Sequence, residues 1–142
     1  MGKNLKKIII MIILFFSVIC FVPRKAELPD YDETVISVLK REPNNETLME
    51  LTEQEKTELY VLLDNVKGIY IPEIFAEYIN RGRTSYEISI SSKNICSNCE
   101  LRFCILIGFN GQVDHASYRN ILKRSYKFIV NADNLADFLK NL

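Results

Sequence analysis

The chain lacks the equipment of the commonest enzyme chemistries. Its five glycines build no Gly-rich loop that could cradle a phosphate. No serine sits at a nucleophile elbow, and no Glu/Asp pair stands at a separation that supports acid–base work. Histidine occurs once, as His115. Net charge is also missing, with 18 basic and 18 acidic side chains. Beyond Lys25 the balance is thirteen basic against eighteen acidic, about five net negative. A nucleic-acid binder needs a basic footprint that displaces counterions, so the balance argues against that class. There is no internal repeat and no low-complexity tract.

What is present begins with MGKNLKK, a short positive region, followed by an apolar run from Ile8 to Val22 and closed by Pro23, Arg24 and Lys25. This run of fifteen residues, apolar but for Ser17, matches the core of an export signal and falls short of the ~20 that comfortably span a bilayer. Ala26 has Arg24 two positions before it, so the small residues that flank a cleavage site are missing. Ile19 before Cys20 disfavours lipid attachment. The expectation is a membrane contact through residues 8–22, as a short uncleaved transmembrane helix with its N-terminus inside, or else a cleaved signal peptide. Either way the following domain is membrane-anchored outside the cytoplasm, or secreted. Residues 1–25 are thus an anchor or signal, 26–33 a linker around Pro29, and 34–142 a single domain.

The organising stretch of that domain is Thr84 to Gln112. Tyr86, Ile88 and Ile90 alternate with polar residues, and Leu101, Phe103, Ile105, Ile107 and Phe109 repeat the pattern, which is the period of half-buried strands. A two-residue turn at Ser97-Asn98 predicts Ile90 opposite Ile105, Ile88 opposite Ile107 and Tyr86 opposite Phe109. At the far end Asn110-Gly111 is a strong turn signal, predicting Leu106 opposite His115 and Cys104 opposite Ser117. Gln112–Tyr118 and the alternating Tyr126, Phe128 and Val130 supply two more strands. Thr34–Arg41 is either a strand or a short helix. Thr52 and Glu55 form a capping box for a helix over 53–67, with Leu59, Leu62, Leu63 and Val66 on one stripe and Gly68 as its terminator. Leu135, Phe138, Leu139 and Leu142 mark a second helix, over 133–142, capped by Asn131 or Asp133. The fold class predicted is α+β: a four- to five-stranded, mostly antiparallel meander with both amphipathic helices packed on one face.

The succession of a strand, FNGQV, a return strand, a basic loop, YKFIV and a terminal amphipathic helix resembles small secreted or membrane-tethered bacterial domains of unknown function. The likeness covers about Tyr86 to Leu142 and implies fold and location, with no catalytic residues to carry over. The chain departs from lipoprotein members by lacking a lipid-attachment signal and by its Cys-Ser-Asn-Cys turn.

Chemistry, if there is any, concentrates in the cysteines. Cys96 and Cys99 could form a disulfide pinning the hairpin tip, which suits an oxidising compartment. Cys-x-x-Cys is also the spacing of thiol-redox pairs, although these favour a helix N-terminus and the flanks here read as strand. Cys96, Cys99, Cys104 and His115 together make a legitimate donor set for zinc, the alternative to having no cofactor. Cys104 and His115 are in addition diagonal neighbours, close enough for a nucleophile and a base. A basic face of Lys93, Arg102, Arg119, Lys123, Arg124 and Lys127 is the expected contact surface for an unknown protein partner. The expected function is therefore a non-catalytic, membrane-tethered or secreted binding module, with a thiol-redox or zinc protein as the alternative.

Overall fold

The computed structural model describes residues 2–72, 83–93 and 100–142, apart from the side chain of Cys20. The protein is α+β, with helices α1 (Lys3–Phe21), α2 (Glu53–Asp64) and α3 (Ala132–Lys140). The strands are β1 (Arg24–Lys25), β2 (Thr34–Glu42), β3 (Asn45–Met49), β4 (Lys67–Ile71), β5 (Ser85–Ser92), β6 (Glu100–Ile107), β7 (Val113–Arg119) and β8 (Ser125–Val130). All join one 8-stranded sheet in the order β1-β4-β8-β7-β6-β5-β2-β3. Every neighbouring pair in it is antiparallel. The expected meander β5-β6-β7-β8 forms its centre, and the N-terminal half of the chain flanks it on both sides, so the sheet is larger than anticipated. Between β3 and β4 the chain passes from one flank to the other, and α2 lies in that passage.

Alternation places one apolar set against the helices. Val38, Ile88, Phe103, Ile105, Leu59, Leu63 and Leu135 are all fully buried. They share one core with Tyr86, Ile90, Leu101, Tyr118, Tyr126, Phe128 and Leu139. The Thr52–Glu55 capping box forms as expected. Helix α2 nevertheless stops at Asp64, and Gly68 falls inside β4 instead of capping a helix. Its lack of a side chain serves packing: a Cβ there would lie 2.8 Å from the Tyr118 ring and 2.9 Å from the Lys127 carbonyl oxygen. Asn131 precedes α3 in a left-handed conformation but makes no side-chain cap. Its amide donates instead to the Leu62 carbonyl at 2.6 Å, tying α3 to α2.

The β5–β6 register differs from expectation. Ile90 faces Leu101, Ile88 faces Phe103 and Tyr86 faces Ile105, a slide of four residues from the two-residue-turn register. An even slide keeps the strand side chains on their faces, which is why Tyr86, Ile88, Ile90, Leu101, Phe103 and Ile105 are buried as expected although the pairing differs. Phe109, expected opposite Tyr86, lies beyond the end of β6 and is 87% exposed. The Ser97-Asn98 turn itself lies outside the described residues.

The apolar N-terminal segment also requires a correction. Among the described residues no helix is long and apolar enough to cross a membrane. Helix α1 has 19 residues, but Lys3, Asn4, Lys6 and Lys7 occupy its first two turns. The remainder, Ile8 to Phe21, covers roughly 21 Å at the helical rise, short of a hydrocarbon core of roughly 30 Å. The transmembrane helix is therefore set aside.

Residues 26–33, expected as a linker, run along the domain. Ala26 is buried and its N–H donates to the Val66 carbonyl at 3.1 Å. The Tyr60 hydroxyl donates to the Pro29 carbonyl at 2.7 Å. Tyr31 meets the Tyr60 ring edge-on, with centroids 5.3 Å apart. Folded structure thus begins at β1, directly after α1.

Candidate functional site

The sheet face turned away from the helices carries the polar side chains. A straight row crosses it, with Leu39, Glu87, Cys104, Ser117, Lys127 and Ile69 each paired to the next across β2, β5, β6, β7, β8 and β4. Glu87 is its electrostatic centre. Arg41 contacts Glu87 directly and reaches Glu46 at 2.9 Å, while Arg102 lies 3.6 Å from Glu87 and 2.8 Å from Glu100. Signs alternate from Glu46 on β3 to Glu100 on β6, so Arg102 is largely neutralised. Such half-exposed pairs orient side chains across strands more than they stabilise the fold.

Cys104 and His115 stand where the β6–β7 register predicted: Cys104 faces Ser117 and Leu106 faces His115. The two are diagonal neighbours on this second face, about 7–8 Å apart by strand geometry. His115 is half-buried, and burial, reinforced by the nearby Lys127 charge, lowers its pKa below the ordinary imidazole value. Asp114 opposes that shift only weakly, because it belongs to the other face of the strand and contacts Arg83. Leu106 is buried beside them, apart from the main core. Cys96 and Cys99 lie outside the described residues. Among the described residues no three His, Cys, Asp or Glu side chains converge as a metal site.

The expected basic face divides into separate environments. Lys93 donates to the Asp32 carbonyl at 3.0 Å and lines a cleft of about 330 Å³ with Tyr31, Thr34, Val35, Glu53 and Lys56. Lys127 stands beside His115 on the second face. Arg119, Lys123 and Arg124 gather at the β7–β8 turn. Beside that turn is a second cleft of about 270 Å³, which brings Arg24 and Lys25 together with Ile121, Leu122 and Arg124. Its floor is aromatic: Tyr118 and Tyr126 stack with centroids 4.8 Å apart, and the Tyr118 hydroxyl donates to the Arg24 carbonyl at 3.1 Å. Burial, more than any neighbour, raises the Tyr118 pKa far above that of a free phenol. This junction between the N-terminal segment and the β7–β8 turn has no signature in the sequence, because its members lie far apart in the chain.

No protein-family model, curated protein or solved structure matches the chain.

Proposed function

We propose that the chain is a non-catalytic binding module that works outside the cytoplasm, brought to the membrane by α1. One contrast carries this reading. Helix α1 leaves Met11 71% and Phe21 69% exposed, whereas α2 and α3 bury Leu59, Leu63 and Leu135 completely. An apolar surface of that extent, separate from the core, calls for an apolar partner. An apolar stretch of this length behind three lysines suits the core of an export signal. Residues 24–142 form the exported part, membrane-bound while α1 is retained and free once it is cut. A cut before Arg24 would spare β1 and Ala26, whereas one after Ala26 would strip both from the fold.

Fractionation of cells expressing the full chain, with intact mass of the recovered protein, tests this reading. Recovery with membranes or outside the cell, with α1 present or lost ahead of Arg24, is expected. Full-length protein confined to the cytosol would overturn it.

A second reading draws on the diagonal placement of Cys104 and His115 as a thiol or zinc centre. Convergence with Cys96 and Cys99 would need the strand to start near Phe103, whereas β6 starts at Glu100, roughly 13 Å along the strand from Cys104, so any further zinc ligand would come from elsewhere. The native mass of chain purified without chelator tests it. An adduct of one zinc ion, lost on denaturation, is the expected sign, and a metal-free native mass would remove the zinc version.

A further inference from the structure

The turn between β7 and β8 is built against ordinary turn chemistry. Its backbone closes tightly: Lys123 N–H donates to the Asn120 carbonyl at 2.8 Å, and Asn120 N–H to the Arg124 carbonyl at 3.0 Å. The Asn120 side chain fixes it further by accepting from Arg124 N–H at 2.9 Å. Its two corners are Ile121 and Leu122, 59% and 67% exposed. Lys123 takes the left-handed position with φ 60°, where glycine would be the easy choice. Large apolar side chains thus stand outward at the corners of a turn closed by three hydrogen bonds.

The surroundings are cationic. Arg119, Lys123 and Arg124 border the corners, and Arg24 lines the adjoining cleft. Among the described residues none of these four makes an ion pair. The nearby carboxylates are Glu27 in the same cleft and Glu100, which is engaged by Arg102.

Strand register shows where this turn points. Arg24 faces Gly68, and β4 continues from Gly68 to Ile71, which faces Ser125 at the start of β8. Because β1 is antiparallel to β4, residues before Arg24 leave the sheet toward Ile71, at the end that carries the β7–β8 turn. The apolar α1 and the apolar corners of the turn thus lie at the same end.

We propose that the Asn120–Arg124 turn is a membrane-docking tip. Ile121 and Leu122 enter the interfacial region of an anionic bilayer, and Arg24, Arg119, Lys123 and Arg124 meet its headgroups. The proposal rests on the reading that α1 brings the chain to a membrane, and it adds the orientation of the folded part, with this end of the sheet toward the lipid.

The chain contains no tryptophan, so a single introduced indole reports on its own position. Full-length Leu122→Trp, with Ile121→Trp as a second reporter and Phe109→Trp at the opposite end of β7 as control, would be mixed with vesicles. These would contain equal parts phosphatidylcholine and phosphatidylglycerol. The expected result is a blue-shifted emission, quenched by brominated lipid, for the residue 121 and 122 reporters and not for the control. If the chain sediments with vesicles while both turn reporters stay open to an aqueous quencher, the docking tip is overturned and the turn becomes a surface for a protein. An equal response from the control would overturn the orientation. A chain that does not sediment at all would overturn the membrane reading beneath the proposal.

Discussion

The two turns at opposite ends of β7 share one backbone design and differ in what they display. In the β6–β7 turn, Gly111 N–H donates to the Gly108 carbonyl at 2.9 Å and Gly108 N–H to the Gln112 carbonyl at 2.8 Å. The β7–β8 turn repeats that pattern twelve residues later, at Asn120, Lys123 and Arg124. The first uses glycine for its left-handed residue, Gly111 at φ 78°, and the second uses Lys123 at φ 60°. The first also displays an apolar corner, Phe109, 87% exposed, but sets Arg83 over its ring, 5.2 Å from the centroid, and Arg83 in turn contacts Asp114. The second leaves Ile121, Leu122 and its cations facing outward. The difference lies in pairing more than in exposure: one apolar corner under an ion-paired arginine closes the first turn, whereas in the second two adjacent apolar corners stand beside cations that make no ion pair among the described residues.

Substitutions at the two turns and beneath them separate backbone from side-chain effects. The largest effect is expected at Gly68, which lets Tyr118 pass β4 and reach Arg24 beside the β7–β8 turn. Gly68→Ala places a Cβ within 2.9 Å of the Lys127 carbonyl oxygen, which is backbone and yields poorly. A loss of about 1–3 kcal/mol is predicted, measurable by urea unfolding. Gly111→Ala meets nothing within 4 Å, so its cost is the left-handed backbone alone, about 1–2 kcal/mol. Lys123→Gly should act in the opposite direction and stabilise by up to about 1 kcal/mol, relief of the left-handed strain being partly offset by glycine's freedom when unfolded. Equal destabilisation by these last two changes would show that the turns are not equivalent in backbone.

The smallest effect concerns pH. Folded His115 binds its proton less readily than the unfolded side chain, whose value is near 6.5. As pH falls through 6.5 the unfolded chain takes up more protons, and the fold loses stability until the lowered native value is passed. His115→Gln should flatten the unfolding midpoint over that interval. An unchanged slope in the variant would assign the pH dependence to other groups.

Side-chain periodicity made the centre of the sheet legible. Tyr86, Ile88, Ile90, Phe103 and Ile105 were assigned to the buried face from alternation, and an incorrect hairpin register did not disturb that assignment. The β6–β7 pairing was legible from Asn110-Gly111, although glycine alone takes the left-handed position, so the turn is longer than two residues. Of the flanking strands, β2 was legible as a strand or a short helix over Thr34–Arg41, and β1, β3 and β4 were not legible. β1 has two residues, β3 reads as the polar NETLM, and β4 follows α2 so closely that Val66 and Gly68 looked like the end of a helix. Their strand character comes from pairing across the sheet, a non-local effect that outweighs local propensity. The basic residues were legible as a group, but their division among Lys93, Arg102 and the Arg119–Arg124 region depends on tertiary placement.

The account turns on which side of the membrane the folded part occupies, and protease added to unbroken cells expressing the full chain tests this most directly. If residues 24–142 lie outside the cytoplasm and remain membrane-bound, they will be cut or shed while a cytosolic marker survives, and if α1 has been removed they will appear in the medium or the extracytoplasmic fraction. A chain that resists the protease until the cells are lysed, and then fractionates with the cytosolic marker, would contradict the account.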